Sequence, residues 1–278
     1  MIEKLPFGSV IKSFLNSNDA YRRFKYSETG LKIWRWFATP QSMIINQEDR
    51  FYRNLLSTLR SGHFPILDIG ANAGWITKTF LNYSKCVVSV EPDDFSLWIL
   101  QNRFDQRENF HLVAKAVSAA VGYKKLLIQE PGSSLNTFSK KWQRELESGF
   151  FFQPFSFSTS KVVPTTTLDA LIRKYGLPAL IKIDVEGHEL EVVKGLSQSI
   201  PLLVFEANLP VFLQETLQVL ERLFLLDKQV RFNYADNQEV KSEEYVTHLE
   251  LAAIIKGLGK SSIDIICRMS NYHEFFKN

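Results

Sequence analysis

Short apolar runs alternate with helix-patterned segments along the chain after Gly62. Runs rich in Val, Ile and Leu predict strands at 65–69, 86–90, 110–117, 180–185, 202–206, 229–234 and 262–268. Apolar residues at helical spacing predict helices at 75–82, 95–104, 168–175, 189–196 and 211–225. This alternation is typical of βαβ units, so it predicts an α/β fold built on a mostly parallel sheet of about seven strands.

Two stretches of the chain depart from this regular order. The first 61 residues predict a helical extension, with one helix at 47–59, in front of a domain at 62–278. After the third strand, a turn at Gly122 predicts a hairpin partner at 123–129, and residues 130–160 show no regular pattern. The connection at 118–178 exceeds the usual length, so we expect it to have a function.

Composition and charge exclude several classes of protein. The chain has 278 residues, of which 45% are hydrophobic, so it can bury a core and is not globally disordered. Two cysteines are too few for a disulfide scaffold. With 33 basic against 30 acidic residues, nothing indicates a nucleic-acid partner. No window has the length of a transmembrane helix and no secretory signal is present, so we expect a cytoplasmic protein.

The segment Asp68–Gly74 follows an apolar strand and opens a helix. Gly70 can adopt the positive φ of a tight turn and lets the backbone approach a ligand closely. The helix start offers free N–H groups to a carboxylate or phosphate. Asn72 stands where a dinucleotide-binding motif has its middle glycine, which weakens the interpretation as a pyrophosphate site.

Acidic residues follow two further strands. Glu91 ends the second strand, where a carboxylate can bind both hydroxyls of a ribose. Asp184, Glu186 and His188 follow the fourth strand and share one face of an extended chain, so we expect all three at the rim of the site. His188 has the side chain best suited to act as a general base near neutral pH.

Several side chains with oxygen ligands follow strands at the same edge of the predicted sheet, where they could bind a metal ion. Asp184, Glu206 and Asn208 offer the hard ligands that Mg²⁺ or Ca²⁺ prefer. No stronger metal spacing occurs, and His188 has no second His or Cys nearby to complete a zinc site. We therefore expect no metal.

Taken together, these motifs resemble the FkbM family of S-adenosylmethionine-dependent methyltransferases. The resemblance covers about residues 62–210 and rests on Asp68–Gly74, Val90–Pro92, Thr166–Asp169, Ile181–Glu189 and Phe205–Glu206 in this order. It implies a Rossmann-like class I methyltransferase sheet of seven strands whose last strand is antiparallel. It also implies S-adenosylmethionine as the cofactor and O-methylation of a hydroxyl, as in a sugar, glycan, glycolipid or secondary metabolite.

The resemblance also implies roles for single residues. The methionine end of the cofactor would lie against Asp68, Gly70, Asn72 and Gly74, and Glu91 would bind the ribose hydroxyls. Lys115–Ser118, which includes Ala116 and Val117, would lie along the adenine. Asp184 would lie near the transferring methyl group. The candidates for the base that accepts the hydroxyl proton are, in falling order, His188, Glu186 and Asp184.

Several interpretations stay open. The polar turn Pro131–Asn136 and the aromatic cluster Phe150–Phe157 could contact the acceptor, or the aromatic cluster could pack inward as a small core. The basic and aromatic segment Tyr21–Phe37 could cover the core and help form a homodimer, or contact an anionic membrane surface. An NAD-dependent oxidoreductase and a non-catalytic cofactor-binding module are the rival functions.

Overall fold

The structure, a computed structural model, describes residues 40–59, 64–149, 154–259, 261–269, 272, 275 and 276. The segment Tyr21–Phe37 and residues 150–153, which include part of the aromatic cluster, lie outside the described residues. None of the described helices combines the length and apolarity needed to cross a bilayer.

Helices and strands alternate through the described chain. In order they are α1 (Pro40–Ser57), β1 (Ile66–Ile69), α2 (Trp75–Phe80), β2 (Val87–Val90), α3 (Asp94–Phe104), β3 (Phe110–Val113), β4 (Ala116–Val117), β5 (Gly122–Ile128), α4 (Lys140–Glu147), β6 (Thr159–Thr166), α5 (Leu168–Tyr175), β7 (Leu180–Ile183), α6 (Glu189–Lys194), β8 (Leu202–Leu209), α7 (Leu213–Leu226), β9 (Arg231–Asp236), β10 (Glu239–Val240), α8 (His248–Gly257) and β11 (Ser261–Arg268).

The large sheet has the strand order β10-β9-β11-β8-β7-β1-β2-β3. Strands β3, β2, β1, β7 and β8 run parallel, and β11 inserts antiparallel between β8 and β9. The predicted class I methyltransferase sheet, with its last strand antiparallel, is therefore confirmed. Because the strand order reverses at β1, the carboxyl ends of β1, β2 and β7 open onto one crevice where such sheets bind ligands.

The predicted third strand, 110–117, is wrong in its extent. It breaks after Val113, and residues Ala116–Val117 join a separate sheet of order β4-β6-β5. Strand β5 pairs antiparallel with β6 rather than with β3. The connection at 130–160 also contains α4, whose Ser139 cap bonds the Trp142 N–H. Sequence periodicity alone did not show that the long connection folds back as its own small layer.

The prediction also placed the start of the first helix too late and missed α8. Helix α1 begins at Pro40, a residue that the first turn of a helix tolerates because the N–H that proline lacks would have no helical partner there. Helix α8 begins with a capping box in which Thr247 and Glu250 bond each other's backbone N–H groups. The Thr-x-x-Glu spacing in the sequence was the available signal for α8.

One face of the sheet changes from apolar to charged along the strands. Under α1, the halves of the strands farther from the crevice bury Leu180, Leu202, Val204 and Ile266 against Phe51, Tyr52, Leu55 and Leu56. Side chains alternate between the faces of a strand, so the next positions on this same face are Lys182, Asp184, Glu206 and Asp264. The apolar half anchors α1, and the charged half forms the floor beside the crevice.

Candidate active site

A tight glycine turn joins β1 to α2 at the crevice. Gly70 has a φ of 77°, and its N–H donates to the Val90 carbonyl at 3.0 Å. A Cβ atom on Gly70 would stand 1.8 Å from the Asp184 carbonyl oxygen, so only glycine lets the ends of β1 and β7 approach this closely. The turn is therefore built by backbone contacts between three neighbouring strands.

Asn72 continues this turn with a positive φ of 44°. Its N–H donates to Glu91 Oε2 at 2.9 Å, and its side-chain Nδ2 donates to the Gly132 carbonyl at 3.2 Å. The residue that departs from the dinucleotide motif thus ties the turn to the polar segment Pro131–Asn136. Ser133, Ser134 and Asn136 of that segment line the same cavity as Gly70 and Asn72.

Glu91 lies buried at the end of β2. Its two oxygens accept the N–H groups of Asn72 and Asp93, each at 2.9 Å, which orients the carboxylate toward the crevice. Burial raises the pKa of Glu91 to about 7, although the two N–H donors act in the opposite direction. Ala116 and Val117 of β4 line the cavity beside it.

Asp68 and Gly74, two of the predicted cofactor residues, lie behind the cavity wall. Asp68 is 1% exposed; its Oδ2 accepts from Thr77 at 2.6 Å, and its Oδ1 lies 3.5 Å from Lys182 Nζ. Gly74 precedes α2 with a φ of 73°, and a Cβ there would meet the Phe104 ring at 2.6 Å. Both residues shape the turn, and neither is among the residues that line the cavity.

Three carboxylates meet on the opposite side of the cavity. Oxygen atoms of Asp184, Glu186 and Glu206 lie within 4.8 Å of one another. Glu186 Oε2 accepts from the Trp142 indole N–H at 2.8 Å, and its carbonyl accepts from the Thr137 hydroxyl at 2.6 Å. Burial first, and then the charge of Asp184, raise the pKa of Glu186 well above its usual range.

Lys182 is the cation beneath these carboxylates, and the sequence analysis did not identify it. Its Nζ lies 3.1 Å from Asp184 Oδ2 and donates to the Gly70 carbonyl at 3.0 Å. Burial opposes its charge, but Asp184, Asp68 and Glu48 keep its pKa above the usual range. A lysine inside the apolar strand Leu180–Ile183 was the available signal.

The expectation that His188 shares a face with Asp184 and Glu186 is wrong. Strand β7 ends at Ile183, and the chain turns through positive φ at Glu186 (53°) and Gly187 (86°), which breaks the alternation. His188 Nε2 instead lies 3.2 Å from Ser118 Oγ and 3.3 Å from Lys124 Nζ, and His188 is not among the residues that line the cavity. Burial, and then Lys124, lower its pKa to about 4.

The carboxylate cluster has the donor type for a hard divalent cation, but its oxygens already have partners. Glu206 accepts hydrogen bonds from Ser262 at 2.8 Å and from Asn208 at 2.9 Å. Lys182 forms an ion pair with Asp184, and the Trp142 N–H donates to Glu186. A cation would have to displace several of these donors. The absence of a metal stays a prediction that chelation can test.

Strand order, the glycine turn and the acid that ends β2 define the class of protein as an S-adenosylmethionine-dependent class I methyltransferase. The methyltransferase FkbM domain matches residues 68–231, more than half of the chain. The chain therefore belongs to the FkbM methyltransferase family. No curated protein is significantly similar in sequence.

Several solved structures are distantly similar. Precorrin-6Y C5,15-methyltransferase from Geobacter metallireducens is 13% identical, with 77% of this chain and 84% of that chain covered and a TM-score of 0.41. A TehB-like SAM-dependent methyltransferase from Corynebacterium glutamicum is 10% identical (81% and 88% covered, TM-score 0.41). A Streptococcus mutans protein described as a methyltransferase, in complex with SAH, is 10% identical (81% and 96% covered, TM-score 0.38).

Proposed function

We propose that this methyltransferase transfers the methyl group of S-adenosylmethionine to a hydroxyl of a sugar, glycan, glycolipid or secondary metabolite. The observation that carries the proposal is the placement of Asp184 and Glu186 in the same cavity as Gly70 and Glu91. A hydroxyl nucleophile must lose a proton as it attacks, and carboxylates beside the cofactor can accept that proton.

The cavity lining supports one orientation of the cofactor. The methionine end would lie at the turn of Gly70 and Asn72, with Asp68 and Gly74 supporting that turn from behind. Glu91 keeps lone pairs for the ribose hydroxyls after accepting its two N–H groups. The adenine would lie against Ala116 and Val117. This orientation directs the sulfonium methyl group toward Asp184 and Glu186.

Glu186 is the base that we favour for the transfer. When bound, S-adenosylmethionine would supply the methyl group and leave as S-adenosylhomocysteine. The proton of the acceptor hydroxyl would move to the Glu186 carboxylate as the oxygen–carbon bond forms and the carbon–sulfur bond breaks. The raised pKa of Glu186 makes its ionised form a stronger base than an exposed carboxylate. Asp184 is the second candidate, because the Lys182 ammonium stabilises its charge.

His188 fits better as a positioning residue. Its lowered pKa of about 4 makes it a weak base, and its contacts with Ser118 and Lys124 join α6 to the small sheet. Turnover of His188→Gln within about tenfold of wild type would agree with this role, since general bases contribute about 10²–10⁴-fold. A loss of 10²-fold or more, on that scale, with unchanged cofactor affinity would restore His188 as the base.

Cofactor choice and transfer can be tested separately. Titration of the full chain with S-adenosylhomocysteine and with NAD distinguishes the methyltransferase from the oxidoreductase alternative. Transfer of a ¹³C-labelled methyl group to a glycan and glycoside panel, read by NMR, then reports whether the new bond is to oxygen. A methyl group found on nitrogen or carbon would contradict O-methylation. Cofactor binding without any transfer would favour the non-catalytic module.

The remaining expectations stay predictions. They are the boundary between an extension at 1–61 and a domain at 62–278, the homodimer, the peripheral membrane contact and the cytoplasmic location.

A further inference from the structure

A second cavity, of about 590 Å³, lies between helix α1 and the β9–β10 hairpin. This volume is within the range of about 300–1,000 Å³ that small-molecule sites occupy. None of the residues that line the crevice at Gly70 and Glu91 lines this cavity. It is therefore a separate space, on the face of the sheet that α1 covers.

The helix side of this cavity is a polar stripe. Gln47, Arg50 and Asn54 of α1 recur at intervals of three and four, so they share one face of the helix and line the cavity together. Within the described residues, none of these three side chains has a hydrogen-bond or ion-pair partner. Their donors and acceptors are available to a ligand.

The hairpin side adds a fixed guanidinium and an aromatic ring. Arg268 stands 4.4 Å above the Tyr245 ring, and its Nε is buried without a hydrogen-bond partner in the described chain. Glu239 and Glu243 also line the cavity, so their formal charges balance those of Arg50 and Arg268. The charged residues of the cavity thus balance one another, which suits a neutral ligand.

Gln238 at the tip of the hairpin has a conformation that favours glycine. Asn237 and Gln238 have φ of 51° and 60°. They form the left-handed pair of residues that a two-residue hairpin turn requires. Gln238 lines the cavity, and Asp236 at the base of the turn pairs with Ile263, the residue next to Asp264. A glutamine at such a strained position is a candidate for a functional side chain.

The strand register places the hairpin end of the cavity near the carboxylates. Asp264 stands directly opposite Glu206 in the β11–β8 register, so their Cβ atoms are about 5 Å apart. Glu206 in turn belongs to the cluster with Asp184 and Glu186. From the α1 side, Gln47 lines the cavity and adjoins Glu48, a carboxyl that Asp184 influences electrostatically. The hairpin end of this separate cavity therefore lies near the carboxylate cluster where the methyl group would be transferred.

We propose that this cavity is a subsite for a neutral, polyhydroxylated part of the acceptor, beyond the hydroxyl that is methylated. Amide side chains both donate and accept, as hydroxyl groups do, and a tyrosine ring offers an apolar face to a sugar ring. The acceptor is then an oligosaccharide or glycoside of at least two units. This inference rests on the proposed O-methyl transfer and adds the requirement for an extended acceptor.

A glycan array, probed with the full chain saturated with S-adenosylhomocysteine, tests the subsite. Calorimetry then compares the best oligosaccharide on the array with its terminal monosaccharide. We expect the oligosaccharide to bind at least about tenfold more tightly, and this advantage to disappear in Arg50→Ala/Asn54→Ala. Arg53→Ala is the matched control, because Arg53 is on the same helix but pairs with Asp49 outside the cavity.

Gln238→Gly is a second variant that should fold at least as well as wild type, because glycine suits the turn. It should also lose the oligosaccharide advantage. The subsite is refuted if the array binds no oligosaccharide while the chain binds S-adenosylhomocysteine, or if the variants keep the wild-type preference. A chain that fails to bind S-adenosylhomocysteine would instead refute the proposed function.

Discussion

The two sides of the crevice are built differently. On the side of β1 and β2, main-chain contacts shape the wall: Gly70 touches two neighbouring strands, and Glu91 is oriented by backbone N–H groups. On the side of β7 and β8, side chains from distant segments hold the carboxylates, as Trp142 does for Glu186. Changes on the first side should therefore abolish binding or folding, whereas changes on the second should slow the reaction.

The largest effect should follow Gly70→Ala. The added Cβ would stand 1.8 Å from the Asp184 carbonyl oxygen at a φ that alanine disfavours, so we expect a loss of about 3 kcal/mol or more of folding free energy. Binding of S-adenosylhomocysteine should be lost as well. Thermal unfolding and calorimetry measure both. Gly257→Ala is the control, since nothing lies within 4 Å of its added Cβ.

Glu186→Gln should separate binding from reaction. Glutamine keeps the size and accepts the Trp142 N–H, but it cannot take a proton, so turnover should fall about 10²-fold or more. Affinity for S-adenosylhomocysteine should stay within about twofold, because backbone contacts shape the cofactor side. Glu147→Gln, on the exposed surface of α4, is the matched control. An equal loss of affinity and turnover would contradict the division between the two sides.

Trp142→Phe should have a smaller effect of the same kind. Phenylalanine preserves packing against Leu146 and Phe212 but removes the donor that orients Glu186. We expect turnover to fall about tenfold, as expected for one lost hydrogen bond to a charged group, with an unchanged KM for S-adenosylmethionine. Trp98→Phe on α3 is the control. If KM rises while kcat is unchanged, Trp142 acts on binding rather than on the position of Glu186.

The smallest effect concerns pH and the stability of the cofactor-free protein. Burial raises the pKa of Glu48, Glu91, Glu189 and Asp264 to about 7. Between about pH 4 and pH 7 the folded chain therefore binds more protons than the unfolded chain, so stability falls as pH rises. We expect Tm to fall from pH 5.5 to pH 7.5, by a few degrees for each kcal/mol lost, although the lowered pKa of His188 acts in the opposite direction.

Glu91→Gln gives the control for the pH effect. It removes one of the four titrating carboxyls and should flatten the dependence of Tm on pH. A Tm that rises with pH in wild type would show that these carboxyls are charged in the folded protein.

The same contrast explains which residues of the site could be predicted from the sequence and which could not. Asp68–Gly74 and Glu91 were placed correctly at the ends of β1 and β2, because a strand, a glycine turn and a helix are local features. Lys182, Trp142 and Glu48 join the carboxylates from segments far apart in the chain, and no local pattern marks such contacts. His188 was misplaced because alternation was continued past Ile183, where glycine and a left-handed glutamate turn the chain.

A crystal structure of the full chain with S-adenosylhomocysteine tests the central claim most directly. We predict the ribose hydroxyls within about 3 Å of the Glu91 carboxylate, the adenine against Ala116 and Val117, and the sulfur facing Asp184 and Glu186. A ribose bound away from Glu91, or a sulfur facing away from these two carboxylates, would contradict the account.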